Sequence, residues 1–266
     1  MSLSDVMDEG RGTGRAAGSR RAGRPAGWVR PELPTLMLVL TAVTGLVEAV
    51  SLLALGPVFT AMQTGNVLFL AFGTARAGNL PALASALSLA AFVVGVFCGA
   101  RMESATEARA GRWFVIGLIV EAGLITVAAG LGWGLAPRYG SPTGRHLMVT
   151  AALALAMGMR TTTIMRTNVP GVPTTLITRS MTAFLGGSAM GHGNSFGYGT
   201  AGWVRRGLAV LMMFAGGFAG ALLVRAGWTV GWLLLPAAVT TLLVGLSYLG
   251  RPRLHTGPTG GRERSG

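Results

Sequence analysis

Two glutamates interrupt stretches of sequence that are otherwise apolar. Glu48 is the single charged residue of Thr35–Leu55, and Glu121 is the single charged residue of Trp113–Leu135. A carboxylate near the middle of a membrane span costs about 2.5–3.5 kcal/mol on insertion scales, so it faces protein groups or water. Glu48 is therefore either a proton or cation site or a buried polar bond that fixes helix packing. For Glu121 we favour the packing interpretation.

A second group of candidates is polar but uncharged. Thr64-Gly65-Asn66 offers a hydroxyl, an amide and a backbone that tolerates unusual dihedrals, which suits a small polar ligand. The alternative is a packed turn whose polar groups satisfy one another. Arg179 has two interpretations. It is a counter-charge, either to Glu48 or to an anionic substrate, or it is a basic residue on the cytoplasmic side. The predicted substrate or ion site comprises Glu48, Gln63, Thr64, Gly65, Asn66, Thr174, Thr175 and Thr178.

The sequence does not show the residue patterns of a metal site, a catalytic site or a nucleic-acid-binding surface. His146, His192 and His255 have no metal-ligand spacing, and we find no nucleophile–base arrangement with catalytic spacing. We therefore predict no enzyme, metal or cofactor. All 22 basic residues are Arg, but they lie in tails and short loops without an aromatic platform, so nucleic acid is not the predicted partner.

The candidate residues lie in a chain built for a membrane. Only 12% of its residues are charged, whereas a soluble domain carries about a quarter. About 20 helical residues cross the hydrocarbon layer. Six stretches meet that length and predict an all-α membrane protein with about six transmembrane helices: Thr35–Leu55, Pro81–Ala100, Trp113–Leu135, Leu147–Met165, Gly207–Val224 and Gly227–Leu249. Cys98 lies in the second stretch and is predicted to be buried.

Two further segments are short and polar at their centres. Val58–Phe72 follows Gly56-Pro57, and Val172–Ala189 follows Pro170-Gly171. Helix breakers free backbone groups that need partners, so such segments suit broken or re-entrant helices packed inside the protein. We predict that Thr64 and Thr178 approach each other across a shared polar pocket, with Glu48 nearby.

The order of features repeats along the chain. Gly95-Val-Phe-Cys-Gly99-Ala100 is similar to Gly216-Gly-Phe-Ala-Gly220-Ala221, and each half contains a span, a broken segment and two more spans. Three crossings per half make the repeats inverted, as in secondary transporters. We predict repeats over about 35–135 and 146–249. The spacing of Gly95, Gly99, Gly216 and Gly220 predicts close helix contacts.

The distribution of Arg predicts the orientation. With six crossings and both termini inside, 18 Arg, Arg160 among them, are cytoplasmic and four are outside. This bias follows the positive-inside rule. The predicted domain organisation is a disordered basic arm over 1–30, a transmembrane domain over 31–250 and a disordered basic tail over 251–266.

Three sequence motifs resemble the YoaK family of bacterial inner-membrane proteins, a domain of unknown function. They are Gly45-Leu-Val-Glu48-Ala, Leu55-Gly56-Pro-Val-Phe59 and Met62-Gln-Thr64-Gly65-Asn66, and Pro173-Thr174-Thr175 is a looser counterpart in the second half. The resemblance covers roughly residues 35–250. Glu48 stands where the family has Asp, and Gln63 is an addition to its Met-Thr-Gly-Asn motif. The resemblance implies a bacterial inner-membrane location but no established activity.

The functional prediction is a transporter of a small solute or ion, with its site between the two broken segments. The alternative is a membrane scaffold that binds lipid or a partner without moving a solute. The predicted partners are the lipid bilayer and an unknown small solute or ion, and a homo-oligomer is left open.

Overall fold

A computed structural model describes residues 32–78, 80–109, 111–139, 142–167, 181–182, 184–185 and 199–251. Within these ranges the chain forms seven helices of at least 12 residues, and six of them are long and apolar enough to cross a membrane. The all-α prediction with six spans is therefore confirmed. The helices are α1 Leu33–Ala54, α2 Gln63–Thr74, α3 Ala82–Ala108, α4 Trp113–Leu131, α5 Gly144–Thr167, α6 Gly199–Arg225 and α7 Val230–Ser247.

The six long helices run alternately between two faces of the bundle. We call the face where α1 begins and α7 ends the terminal face. There the Arg112 guanidinium, at the start of α4, donates to the carbonyl of Arg251, just after α7. On the opposite face the Arg138 amide, after α4, donates to the carbonyl of Ala54 at the end of α1. Both ends of the described helical region thus lie on one face, as an even number of crossings requires.

The exception to this alternation is the segment between α1 and α3. Helix α1 ends at Ala54, Gly56 takes a φ of 110° that favours glycine, and α2 begins only at Gln63. Helix α2 has 12 residues, so its length is about 18 Å, short of the roughly 30 Å of hydrocarbon. The segment leaves the opposite face, turns back beside Glu48 and Ser88, and returns to that same face at Thr74.

Glycines bring the helices together in two matching pairs. Gly45 of α1 lies against the backbone of Met213 in α6, and Gly216 of α6 lies against the backbone of Ala42. In the same manner, Gly158 of α5 lies against the backbone of α3, and Gly95 of α3 lies against that of Leu155. A Cβ at any of these four positions would come within 2.3 Å of a carbonyl oxygen, so only glycine permits this approach. Gly99 and Gly220, one turn further on, also lie at these two contacts.

In each pair, the first long helix of one half packs parallel to the second long helix of the other half. The remaining long helices, α4 and α7, run antiparallel, with Gly132 beside Val230 and Gly245 beside Leu118. Two similar halves, each packing one helix against the other half, would give this arrangement. The inverted repeat itself stays a prediction. The second broken segment, Val172–Ala189, falls almost wholly outside the described residues.

The outward face of the bundle is apolar, as a lipid-facing surface must be. Val93, Val94 and Phe97 of α3 are exposed, and so are Phe214 and Phe218 of α6. Cys98 is exposed on α3 as well, so the prediction that it is buried was wrong. Periodicity could not show this, because an outward position and a core position of a membrane helix are equally apolar.

Candidate functional site

Glu48 is buried in α1, and its carboxylate holds the turn that precedes α2. Oε1 accepts hydrogen bonds from the Thr60 amide at 3.1 Å, the Thr60 hydroxyl at 3.0 Å and the Ala61 amide. The amides at a helix N-terminus lack partners within the helix and attract negative charge. Glu48 therefore holds, from another helix, the amides of the two residues that directly precede Met62, the N-cap of α2.

Asn66 fastens the same turn from the other side. Its amide oxygen accepts from the Phe59 N–H at 2.9 Å, and its amide nitrogen donates to the Phe59 carbonyl at 2.6 Å and to Gln63 at 2.7 Å. Ser88 of α3 also donates to the Phe59 carbonyl, at 2.6 Å, and accepts from Asn66 at 3.1 Å. Gln63 donates to the Thr60 carbonyl at 2.8 Å. The freed backbone groups of residues 59–61 are thus satisfied by four side chains, which we call the turn cluster: Glu48, Gln63, Asn66 and Ser88.

The structure separates the members of the predicted site. Gly65 lies against the ring of Phe59, where a Cβ would come within 2.6 Å of the ring. Asn66 is fully buried, whereas Thr64 is exposed. Glu48, Gln63 and Asn66 therefore lie together around the turn, and Thr64 points away from it. The predicted approach of Thr64 to Thr178 lies outside the described residues, as do Thr174, Thr175 and Arg179.

A second buried carboxylate lies where four helices meet. Glu121 of α4 forms an ion pair with Arg160 of α5, and both side chains are at most 1% exposed. The guanidinium also donates to the Leu40 carbonyl at 3.2 Å and to the hydroxyls of Thr44 and Thr241, each at 2.9 Å. We call these residues the ion-pair cluster: Glu121, Arg160, Thr44 and Thr241. It joins α1, α4, α5 and α7.

Arg160 corrects the sequence interpretation. It was counted among the cytoplasmic basic residues, but it lies in the core, because Glu121 of α4 and polar atoms of α1 and α7 compensate its charge. Without it the predicted distribution is 17 Arg against four, so the orientation argument is unchanged. The signal was available: Glu121 and Arg160 are opposite charges, each alone within its predicted span. The roles of Ser88 and Thr60 had no comparable signal.

A further set of polar residues lies near the terminal face. Arg166 of α5 pairs with Glu107 of α3 and lies over the ring of Trp113, with 5.2 Å between the guanidinium carbon and the ring centroid. One turn deeper, Glu103 accepts a hydrogen bond from Thr163. These contacts continue the α3–α5 interface beyond Gly95 and Gly99, and Glu103 and Thr163 lie beside Gly117 of α4.

Residues 36–247 match a family described as "Protein of unknown function (DUF1275)". The chain belongs to this family. It is 26% identical over 152 residues to the "UPF0700 transmembrane protein YoaK" of Bacillus subtilis (strain 168). That alignment covers 57% of this chain and 65% of the relative's length, so the chain spans just under two thirds of this relative. No solved structure matches the chain. The resemblance to YoaK-like membrane proteins is confirmed, and the protein is a multi-pass membrane protein.

Proposed function

We propose that this DUF1275 protein transports a small solute or ion across the bacterial inner membrane. The observation that carries the proposal is the path of residues 55–74, which turn back inside the bundle and bring irregular backbone beside Glu48. Non-helical backbone at membrane depth is tolerated where it is buried in protein or lines a cavity. In secondary transporters such breaks coordinate substrates and ions near the midplane.

The proposed substrate site includes Thr64 on the exposed side of α2. The sequence-based prediction adds Thr174, Thr175 and Thr178, which lie outside the described residues. The exposure of Thr64 agrees with this role, because a ligand group must be reachable. The buried Glu48 and Asn66 then position the turn. They do not touch the solute, since their polar atoms already have protein partners.

A specific observation favours the alternative, a membrane scaffold without transport. The side chains of the turn cluster bond to one another and to the backbone of the turn. Stabilising the fold is enough to account for such a cluster. The two functions differ in one measurable respect, since a scaffold moves no solute.

A flux experiment separates the two functions. Cells expressing the protein are compared with cells carrying the empty vector by untargeted uptake of metabolites, and each solute that differs is retested in proteoliposomes. Thr64→Val removes the hydroxyl from the proposed site. Thr74→Val is its matched control, because Thr74 is exposed and its one hydroxyl bond among the described residues is to Ala71 within α2. We expect lower flux for Thr64→Val alone. Equal flux for both variants contradicts the proposed site, and no flux in any liposome favours the scaffold.

The proposed orientation places both termini in the cytoplasm. Reporter fusions at Gly10, Ala105, Gly193 and Gly260 should report cytoplasm, and a fusion at Ser141 should report the exterior. The positive-inside bias supports this arrangement. An exterior signal at Ala105 contradicts it, because the segment between α1 and α3 would then cross the membrane.

A further inference from the structure

We propose that Glu121 is a proton-binding site in the core of the bundle, closed onto Arg160 when it is ionised and released when it is protonated. The proton is then the coupling ion of the transporter, and to that extent the inference rests on the proposed function. Ionisable groups inside membrane spans are costly and mark ion and proton pathways in pumps and transporters.

The two partners of this ion pair are held unequally. Arg160 is fixed by the Leu40 carbonyl and by the hydroxyls of Thr44 and Thr241, so it keeps its place whatever the state of Glu121. Within the described residues, Glu121 has Arg160 as its partner, and Oε2 accepts no hydrogen bond. A proton can therefore be added at Oε2 without displacing a donor.

Protonation of Glu121 would remove the charge that compensates Arg160. The charged group that faces Glu121 among the described residues is Arg160 from α5. Helices α1 and α7 contribute uncharged groups that bond to Arg160, the Leu40 carbonyl and the hydroxyls of Thr44 and Thr241. Towards α3, Glu103 lies beside Gly117, one turn away on α4, and is engaged by Thr163. Neutral Glu121 leaves Arg160 as an uncompensated buried cation, which is strongly unfavourable. The bundle then relaxes by admitting water or an anionic solute to Arg160, and α4 is free to move from α5.

The first experiment detects the proton itself and needs no substrate. The full chain in lipid nanodiscs is titrated while infrared difference spectra record the C=O band of protonated carboxyl groups. Glu48 and Glu103 are buried carboxyl groups as well, so the band can have more than one component. We expect one component that grows as the pH is lowered to be missing in Glu121→Gln and to persist in Glu48→Gln and Glu103→Gln. If the single variant does not fold, Glu121→Gln/Arg160→Gln removes both charges and should also lack this component. The absence of any titrating band, or a titrating band that the Glu121 variants leave unchanged, overturns the proposal.

The second experiment distinguishes this inference from the proposed function. Proteoliposomes with a trapped pH dye receive a defined mixture of amino acids and organic acids under an imposed pH gradient. Uptake that follows the gradient in the native protein and ignores it in Glu121→Gln supports both proposals. Uptake that ignores the gradient in the native protein overturns proton coupling but leaves transport standing. A Glu121 band without any uptake supports the proton site and contradicts transport of these solutes.

Discussion

The turn cluster and the ion-pair cluster each bury one carboxylate, but they compensate it in opposite ways. Oε1 of Glu48 receives hydrogen bonds from two backbone amides and one hydroxyl, all from residues Thr60 and Ala61. Glu121 receives a single charged partner, Arg160, from another helix. The amides are part of the backbone and are always donors, whereas an ion pair depends on the charge of both members.

This difference assigns the two glutamates different roles. Glu48 stabilises the backbone of the turn between α1 and α2. The amides of Thr60 and Ala61 need a hydrogen-bond acceptor there whether or not the acceptor is charged. Glu121 stabilises the mutual arrangement of α1, α4, α5 and α7 only while it is ionised. The bundle therefore contains a turn held by hydrogen bonds to Glu48 and an ion pair that depends on the charge of Glu121. Substitutions at the two glutamates can test the two roles separately.

The largest expected effect comes from breaking the ion pair on one side. Arg160→Met leaves Glu121 buried without its partner, and losing one member of a buried pair costs about 3–5 kcal/mol. We expect a corresponding fall in the unfolding free energy in detergent micelles. The double variant Arg160→Met/Glu121→Leu should recover most of it, because replacing both charges by apolar groups of similar volume is often neutral. A double variant as unstable as the single one would show that the charges are not coupled.

The next effect tests whether Glu48 acts through its shape or its charge. Glu48→Leu leaves the buried donors of Thr60 and Ala61 unsatisfied, at about 1–3 kcal/mol for each group. Glu48→Gln can keep an oxygen in the Oε1 position and place its amide nitrogen at Oε2, where the hydrogen bond from the Thr60 amide is long, at 3.4 Å. We therefore expect thermal unfolding of Glu48→Gln close to that of the native protein and clearly earlier unfolding of Glu48→Leu. Equal losses in both variants would mean that the charge itself is required.

A third comparison lies within the Thr64-Gly65-Asn66 motif. Asn66→Ala removes both bonds to the Phe59 backbone and should cost about 1–3 kcal/mol, since the Phe59 N–H loses its partner while the carbonyl keeps Ser88. Thr64→Ala changes an exposed side chain and should stay within about 0.5 kcal/mol. Denaturation of the two variants in the same micelles measures the difference. A Thr64 effect as large as that of Asn66 would show that the turn cluster extends to the exposed side of α2.

Much of the fold could be predicted because membrane helices are specified by length and apolarity. All six predicted spans correspond to helices, and the Gly56-Pro57 pair marks the place where α1 gives way to the turn. The side of each helix that faces lipid could not be predicted, as Cys98 shows, since in a membrane protein both sides are apolar.

The candidate site was predictable only in part. Glu48, Gln63 and Asn66 were identified from their polarity in apolar surroundings, and they do lie together. Which of them bonds to the backbone depends on how the turn folds back, and that is a tertiary property. Ser88 could not be singled out, because one serine in an apolar helix commonly bonds to its own backbone. Arg160 was misjudged because its partner lies on a different helix, 39 residues earlier in the chain.

The last comparison isolates the polar atoms that hold Arg160 independently of Glu121. Thr44 and Thr41 are both fully buried in α1, and each hydroxyl bonds to the carbonyl four residues earlier. Only the Thr44 hydroxyl also accepts from Arg160. Thr44→Val and Thr41→Val remove the same group from the same helix, so their difference reports the contact with the guanidinium. We expect Thr44→Val to be less stable than Thr41→Val by about 1.5–3 kcal/mol at most, the range for hydrogen bonds to charged groups. The difference should persist in Glu121→Gln, because Arg160 remains in place there. If it disappears in that background, Arg160 follows Glu121, and the guanidinium is not the fixed half of the ion pair.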